Sequence, residues 1–337
     1  MAFKITATFT GNADEKCAKE ITGENPVEMF KDAPPSDYKY NSDVSLETPL
    51  HIINAVESAG GNIVKSASRE EGKMFKCTTK KSALELFDKT RCVVVMKKYC
   101  AAAVRGTHNI IVSARNKCLI ACASSNSIIA NVGNFSRLII NKMNSIAAST
   151  GDRCTIDVAA GKSVVAITGN DNRVTAHNIH SVIGSSGDNS VIDNTTSLES
   201  IVASTGKHAT IMSDQKGRGS IFAAAGTLSR IVSISSESIA IGTGIESYIE
   251  SAGADSMSIV TGLGGHARAT KPGSIAIAFG DDTCASGVSG AYLLLGHPRV
   301  NTAAGKFIAM YVDDKTVLSY HKYTMNCIGD IVDLDDR

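Results

Sequence analysis

Three carboxylates are placed where they could do chemistry: Asp157 in CTIDVAA, Asp193 in SVIDNTT and Glu250 in SYIESAG. Each holds the fourth position of a seven-residue motif, so all three project from the same side of their strands. Two such acids ~5–9 Å apart could cleave a glycosidic bond, one as acid and the other as base or nucleophile. Their spacing argues against it. With strands stacked ~4.8 Å apart, Asp157 and Asp193 fall two repeats apart. Thr175 lies between them and Arg173 is diagonal to Asp157. These residue types read better as an ion-pair ladder. A glycan groove would also want aromatic platforms, and Tyr248 stands almost alone.

Other chemistries fare no better. Cys118, Cys122 and Cys154 could suggest zinc, but a zinc site needs four ligands converging from separate turns. They sit at motif positions 1, 5 and 1, where packed thiols are expected. The nine cysteines follow no paired framework, which favours a reducing compartment. His177, His180 and His208 fall at turns, as solvated residues would. The turns TGDRC, TGNDN, SGDNS and TGKHA lack the G-G-x-G-x-D of calcium β-rolls. Thr150, Thr168, Thr205, Thr243 and Thr261 form a row that could bind ice, but Ser186 and Ala225 interrupt it. No phosphate-binding loop, H-E-x-x-H or G-x-S-x-G occurs, and GLGGHA lacks the strand-to-helix setting of a dinucleotide fingerprint. No catalytic site, metal or cofactor is expected.

The motifs that carry these residues are themselves the main signal. SIAASTG at 145 recurs as NIIVSAR (109), SIIANVG (127), SVVAITG (163), SVIGSSG (181), SIVASTG (200), SIFAAAG (220), SIAIGTG (238), SMSIVTG (256) and SIAIAFG (274). Weaker copies lie halfway between, so the unit is nine residues and two units make one coil. An extended stretch closed by a tight corner predicts a short strand and a turn. The expected fold is mainly β: a β-solenoid with two nine-residue arms per 18-residue coil, about ten coils and roughly 50 Å long at the usual strand spacing. Aromatics at 5% and 29 glycines fit a thin core of small and β-branched residues.

Alternation along a strand puts positions 1, 3 and 5 inside and 2, 4 and 6 outside. In the strong copies, here arm A, position 2 is Ile110, Ile128, Ile146, Val164, Val182, Ile201, Ile221, Ile239, Met257 and Ile275. In the weak copies, arm B, the outer face is polar and carries Arg137, Asp157, Arg173, Asp193, Arg230, Tyr248, Glu250 and His266. A ladder of ten apolar residues should not stand in water. Either a second copy covers it, giving a homo-oligomer with a trimer favoured, or the N-terminal region folds back over it. The first fits better, because about 105 residues would have to cover the whole ladder.

Three regions follow: a small α/β domain (1–105), the solenoid (106–290) and a strand-rich C-terminal cap (291–337). In the first, the spacing predicts helices over 49–61 and 80–89, the latter capped by Ser82, and a strand over 91–98. In the cap, GAYLLLGHP, GKFIAMYVDD and KTVLSYHKY read as strands and the acidic tail DIVDLDDR as frayed.

The register SIAIGTG…SMSIVTG…SIAIAFG resembles the β-roll heads of trimeric autotransporter adhesins, which trimerise through an apolar face. Over nearly the whole chain, ENPVEMFKDAPPSDYKY (24–40), the SIAASTG copies and GKFIAMYVDDKTVLSYHKY (305–323) resemble uncharacterised tailed-phage proteins with SAASNTG-type repeats. That likeness implies a phage-encoded origin and no known activity.

A net charge of +1 gives no general attraction to nucleic acid or anionic membrane. No run of 18 apolar residues and no apolar leader occurs. The expected location is cytoplasmic, in the host if phage-encoded, or within a virion. The expected function is a non-enzymatic, self-associating structural or adaptor scaffold presenting residues 1–105 in several copies, to another phage or host protein where one is involved. The alternatives are an intracellular binder that sequesters a host macromolecule or small molecule, and a polysaccharide-binding or depolymerising spike.

Overall fold

The computed structural model describes backbone strands at 3–10, 16–23, 63–66, 74–77, 83–90 and 93–96. It also describes residues 101–298 and 307–336, apart from 115, 160, 178–179, 195–197 and 216. The described residues form strands and turns, with no helix among them. The chain divides into two compact units, Met1–Ala166 and Ile167–Arg337. Both are built as a β-solenoid of two-armed coils.

In the first unit, arm A stacks Met74–Cys77, Val93–Met96, Ile110–Ser113, Ile128–Asn131 and Ile146–Ser149 in parallel. Arm B stacks Ile63–Ser66, Ala83–Thr90, Ala101–Thr107, Leu119–Ser125, Arg137–Ile140 and Thr155–Val158. A separate antiparallel pair joins Phe3–Thr10 to Lys16–Gly23. In the second unit, arm A runs through Val182–Ser186, Ile201–Ser204, Ile221–Ala224, Ile239–Gly242, Met257–Val260, Ile275–Phe279 and Tyr292–Gly296. Arm B runs from Arg173–Ala176 to Cys284–Gly287.

Equivalent residues of the recurring copies align without slippage, whereas Ala83–Thr90 shifts register against Ala101–Thr107 between Leu86 and Lys89. Ile128, for example, lies opposite Ile110 on one side and Ile146 on the other. Positions 1, 3 and 5 point inward, as Ser145, Ala147 and Ser149 do, all essentially without solvent exposure. The interior is small, and the largest fully buried side chain is Phe222.

The corners explain the recurrent serine. Its hydroxyl accepts the N–H of the equivalent residue one coil earlier: Ser200 Oγ from Ser181, Ser220 Oγ from Ser200 and Ser238 Oγ from Ser220, each at 3.2 Å. The same hydroxyl donates to a corner carbonyl, as Ser200 does to Leu198 and Ser238 to Ser236. In these coils the buried hydroxyl both accepts and donates, which is why serine is tolerated at position 1.

Apart from Gly169 and Gly280, which have positive φ, the recurrent glycine at position 7 does not supply the left-handed turn. That conformation belongs to position 9, at Asn126, Phe135, Asn144 and Arg153 in the first unit and Leu228, Glu237, Glu246 and Asp255 in the second, all with φ between 52° and 58°. Glycine is needed because coils touch there: a Cβ on Gly151 would collide with the carbonyl oxygen of Gly133, and one on Gly206 with that of Gly187.

Several expectations are corrected. Residues 83–90 are a strand, not part of a helix: parallel pairing with Ile63–Ser66 and Ala101–Thr107 overrides the local helical pattern of ALELFDKT. Parallel stacking therefore begins upstream of residue 106. The helix expected over 49–61 and the cap at Ser82 lie outside the described residues, and the strand expected over 91–98 is found at Val93–Met96. At the C-terminus, Tyr292–Gly296 and Phe307–Tyr311 are strands, but of KTVLSYHKY only Tyr323 joins one, Tyr323–Met325. The acidic tail is not frayed, since Ile331–Asp333 pairs antiparallel with Tyr323–Met325. Its carboxylates line the last strand of arm B, where charge discourages edge-to-edge pairing.

Candidate interaction surface

The outer face of arm A carries the apolar ladder in both units. Ile110, Ile128, Ile146 and Val164 are exposed in the first, and Val182, Ile201, Ile221 and Ile239 in the second, with Ile146 at 47% and Ile201 at 48%. Met257 and Ile275 are half-buried. In the second unit the ladder continues beyond the serine-glycine copies, because Ile275 pairs with Tyr292 and Tyr292 with Tyr311 across the capping strand. The two tyrosine rings lie 5.2 Å apart, and Phe279 stacks on Phe307 at the same distance. The sequence signal for Tyr292 was present, since AYLLLGH keeps the inside-outside alternation, but it lacks the initial serine.

Beside the ladder, position 4 is small in several coils: Ala130 and Ala148 in the first unit, Gly184, Ala203 and Ala223 in the second. Further along the second unit it becomes Ile241, Ile259 and Ile277. Position 6 forms an exposed polar margin at Ser186, Thr205, Thr243 and Thr261. From Ile110 to Tyr292 the face thus consists of an apolar ridge, a groove and a polar border, without charge on its strands.

The outer face of arm B is polar but largely satisfied internally. Arg137 holds Asp157 through Nε at 2.8 Å and Nη2 at 2.6 Å. Asp157, expected on an exposed face, is only 7% exposed, because the guanidinium lies over it from the neighbouring strand. Arg173 approaches Asp193 at 3.7 Å, and burial raises the Asp193 pKa above the ordinary carboxylate value despite that cation. The expected ion-pair ladder is present in these two pairs.

Tyr248 centres a second cluster. Its hydroxyl donates to Glu250 at 2.8 Å and accepts from Arg268 at 3.4 Å. Arg230 lies over its ring at 5.4 Å, and His266 meets the ring edge-on at 5.4 Å. His266 Nε2 also bonds Ser286 at 2.8 Å, and burial lowers its pKa from 6.5 to about 4. Tyr320 of the cap, not anticipated from sequence, receives Arg268 over its ring. Arg230 is exposed, while Arg137, Arg173, Asp193, Tyr248, Glu250 and His266 are half-buried. This cluster is an interlocked lid on the strands rather than a cleft.

Comparison with protein families, curated proteins and solved structures gives no match.

The remaining candidates add little. Cys118, Cys122, Cys154 and Cys284 are buried free thiols, and burial raises the pKa of Cys122, Cys154 and Cys284, the last to about 11. Such thiols are poor nucleophiles. His180 and His208 stand exposed at left-handed corners, His180 beside Glu199 at 3.1 Å. His321, Asp333 and Asp335 bring three potential ligand atoms within 4.8 Å in the cap, where His321 Nδ1 already bonds Asp333. Among the described residues, no helix is long and apolar enough to cross a membrane.

Proposed function

We propose that this chain is a non-enzymatic, self-associating β-solenoid that serves as a structural or adaptor scaffold, presenting residues 1–105 in several copies. The observation that carries this reading is the outward apolar ladder. A buried Ile or Val is worth ~1.5–3 kcal/mol relative to an exposed one, so each half-exposed ladder residue could contribute on the order of 1 kcal/mol on being covered. Several such residues acting together begin to offset the ~4–15 kcal/mol that association costs. The possible glycosidase acids support the non-enzymatic part, since Asp157 is clamped by Arg137 and Glu250 accepts the Tyr248 hydroxyl.

The test is the mass in solution of the wild-type chain and of the double variant Ile146→Lys, Ile201→Lys. The wild type is expected to exceed one chain mass, and the variant to fall to a folded monomer. An unchanged size and solubility in the variant would sink the reading.

A further inference from the structure

One glycine of arm A has no role in the chain's own packing. Gly184 sits mid-strand in Val182–Ser186. Its φ lies outside the left-handed region, and a Cβ built on it meets nothing within 4 Å. Its neighbours differ: Gly187, Gly206 and Gly226 pack against a carbonyl, and a Cβ on Gly242 would strike Ile249. Glycine weakens a strand interior, often where another backbone or a ligand comes close. The same column holds Ala203 and Ala223, directly beside the exposed ridge of Val182, Ile201 and Ile221.

We propose that this groove receives the ridge of a second copy, in a parallel homodimer whose two-fold axis runs along the solenoid between the position-2 and position-4 columns. This rests on the self-association reading and adds the partner's orientation. A half-turn about that axis brings the two faces together and exchanges ridge with groove. Val182 then lies over Gly184 of the other copy, Ile201 over Ala203 and Ile221 over Ala223, each twice and at the same coil. Ridge and groove share one strand-to-strand spacing, so the match repeats over the coils from Val182 to Ala224.

The other symmetries fit less well. A two-fold axis across the solenoid sets ridge on ridge and leaves the grooves empty. Three copies set planar faces at an angle, so none is wholly covered. The apolar ladder and its likeness to trimeric β-roll heads suggest three copies, whereas this relief favours two. The groove ends where Ile241 fills it, which confines the nested contact in this unit to the coils from Val182 to Ala224. Ser186 and Thr205 then form the polar rim usual around an apolar interface. The first unit repeats the relief at Ile128 beside Ala130 and Ile146 beside Ala148.

The test uses the full chain. Light scattering gives its mass, and nitroxides attached through a keto amino acid at Lys207, Ile245 or Leu263, one site per sample, give inter-copy distances by dipolar spectroscopy. These exposed corners are equivalent and unequally spaced along the coils, so no axis across the solenoid makes all three distances equal. The expected result is twice the chain mass and the same distance at all three sites. A monomer would overturn both this arrangement and self-association. Distances that change with the coil, or a three-copy mass, would overturn this arrangement and leave self-association standing. The double variant Gly184→Leu, Ala203→Leu is expected to lose dimerisation while keeping the wild-type circular-dichroism spectrum and cooperative melting. A dimer that persists in this variant with wild-type affinity overturns the nesting.

Discussion

Arg137 and Asp157 are joined across one coil by two charge-assisted hydrogen bonds, and the carboxylate they hold is nearly out of water. Removing the cation leaves a buried charge without compensation. Arg137→Ala is expected to cost about 2–4 kcal/mol in denaturant unfolding. The looser and more exposed pair Arg173–Asp193 gives the contrast. Arg173→Ala is expected to cost no more than about 1 kcal/mol. Equal losses would mean that the double contact of Arg137 Nε and Nη2 on Asp157 Oδ2 is not what stabilises the first pair.

The corner serines are expected to show the cost of an orphaned donor. Ser238→Ala removes the acceptor for the buried Ser220 N–H. The predicted loss is about 1–3 kcal/mol. Hydrogen exchange should report it locally, with the Ser220 amide losing protection more than amides on the outer rim of the same coil.

Two corner substitutions should move stability in opposite directions. Gly206→Ala drives a methyl group into the Gly187 carbonyl, so the coils must separate, and a loss of several kcal/mol or failure to fold is expected. Leu228→Gly relieves a bulky residue held at φ 56° and removes an exposed apolar side chain. A gain of about 0.5–1 kcal/mol is expected. Thermal melting of both variants distinguishes coil contact at position 7 from backbone handedness at position 9.

His266 should make folding sensitive to acid. Burial is the main cause of its low pKa, and the Lys322 and Arg268 charges add to it while Asp335 opposes. The folded pKa of about 4 lies below the ordinary 6.5, so between these values the unfolded chain binds a proton that the folded chain refuses. Stability from this site is therefore complete above pH 6.5 and falls as pH drops toward 4. The loss should be on the order of 2 kcal/mol. His321 acts oppositely, since its bond to Asp333 raises its pKa. The comparison is the wild type against His266→Gln across pH 4–7: the variant should lose less stability on acidification. Parallel curves would show that His266 is not the responsible group.

The inside-outside pattern was legible because strand alternation and the nine-residue period act together. Ile146 outside and Ala147 inside follow directly from them. The apolar ladder was legible for the same reason, although its continuation to Tyr292 and Tyr311 was hidden by the lost serine. What one strand's sequence cannot reveal is what sits beside it. ALELFDKT has a helical pattern and becomes a strand because two neighbours offer ladder partners. Asp157 looked solvated until the Arg137 side chain from the adjacent strand covered it. Gly151 reads as a turn residue, yet its requirement comes from a carbonyl eighteen residues away in sequence. The role of Tyr320 depends on a contact between the cap and Arg268 that no local spacing encodes.

The serine column has a consequence for how such a chain can change length. Each corner hydroxyl answers the amide one coil earlier, whether that coil spans 18, 19 or 20 residues. Along these coils Leu198, Arg218 and Ser236 bridge in parallel outside the main strands. Growth or trimming by whole coils therefore restores every donor-acceptor handshake, while a half-coil change would set polar arms under apolar ones. The size of this protein is quantised, and its natural unit of variation is the coil rather than the residue.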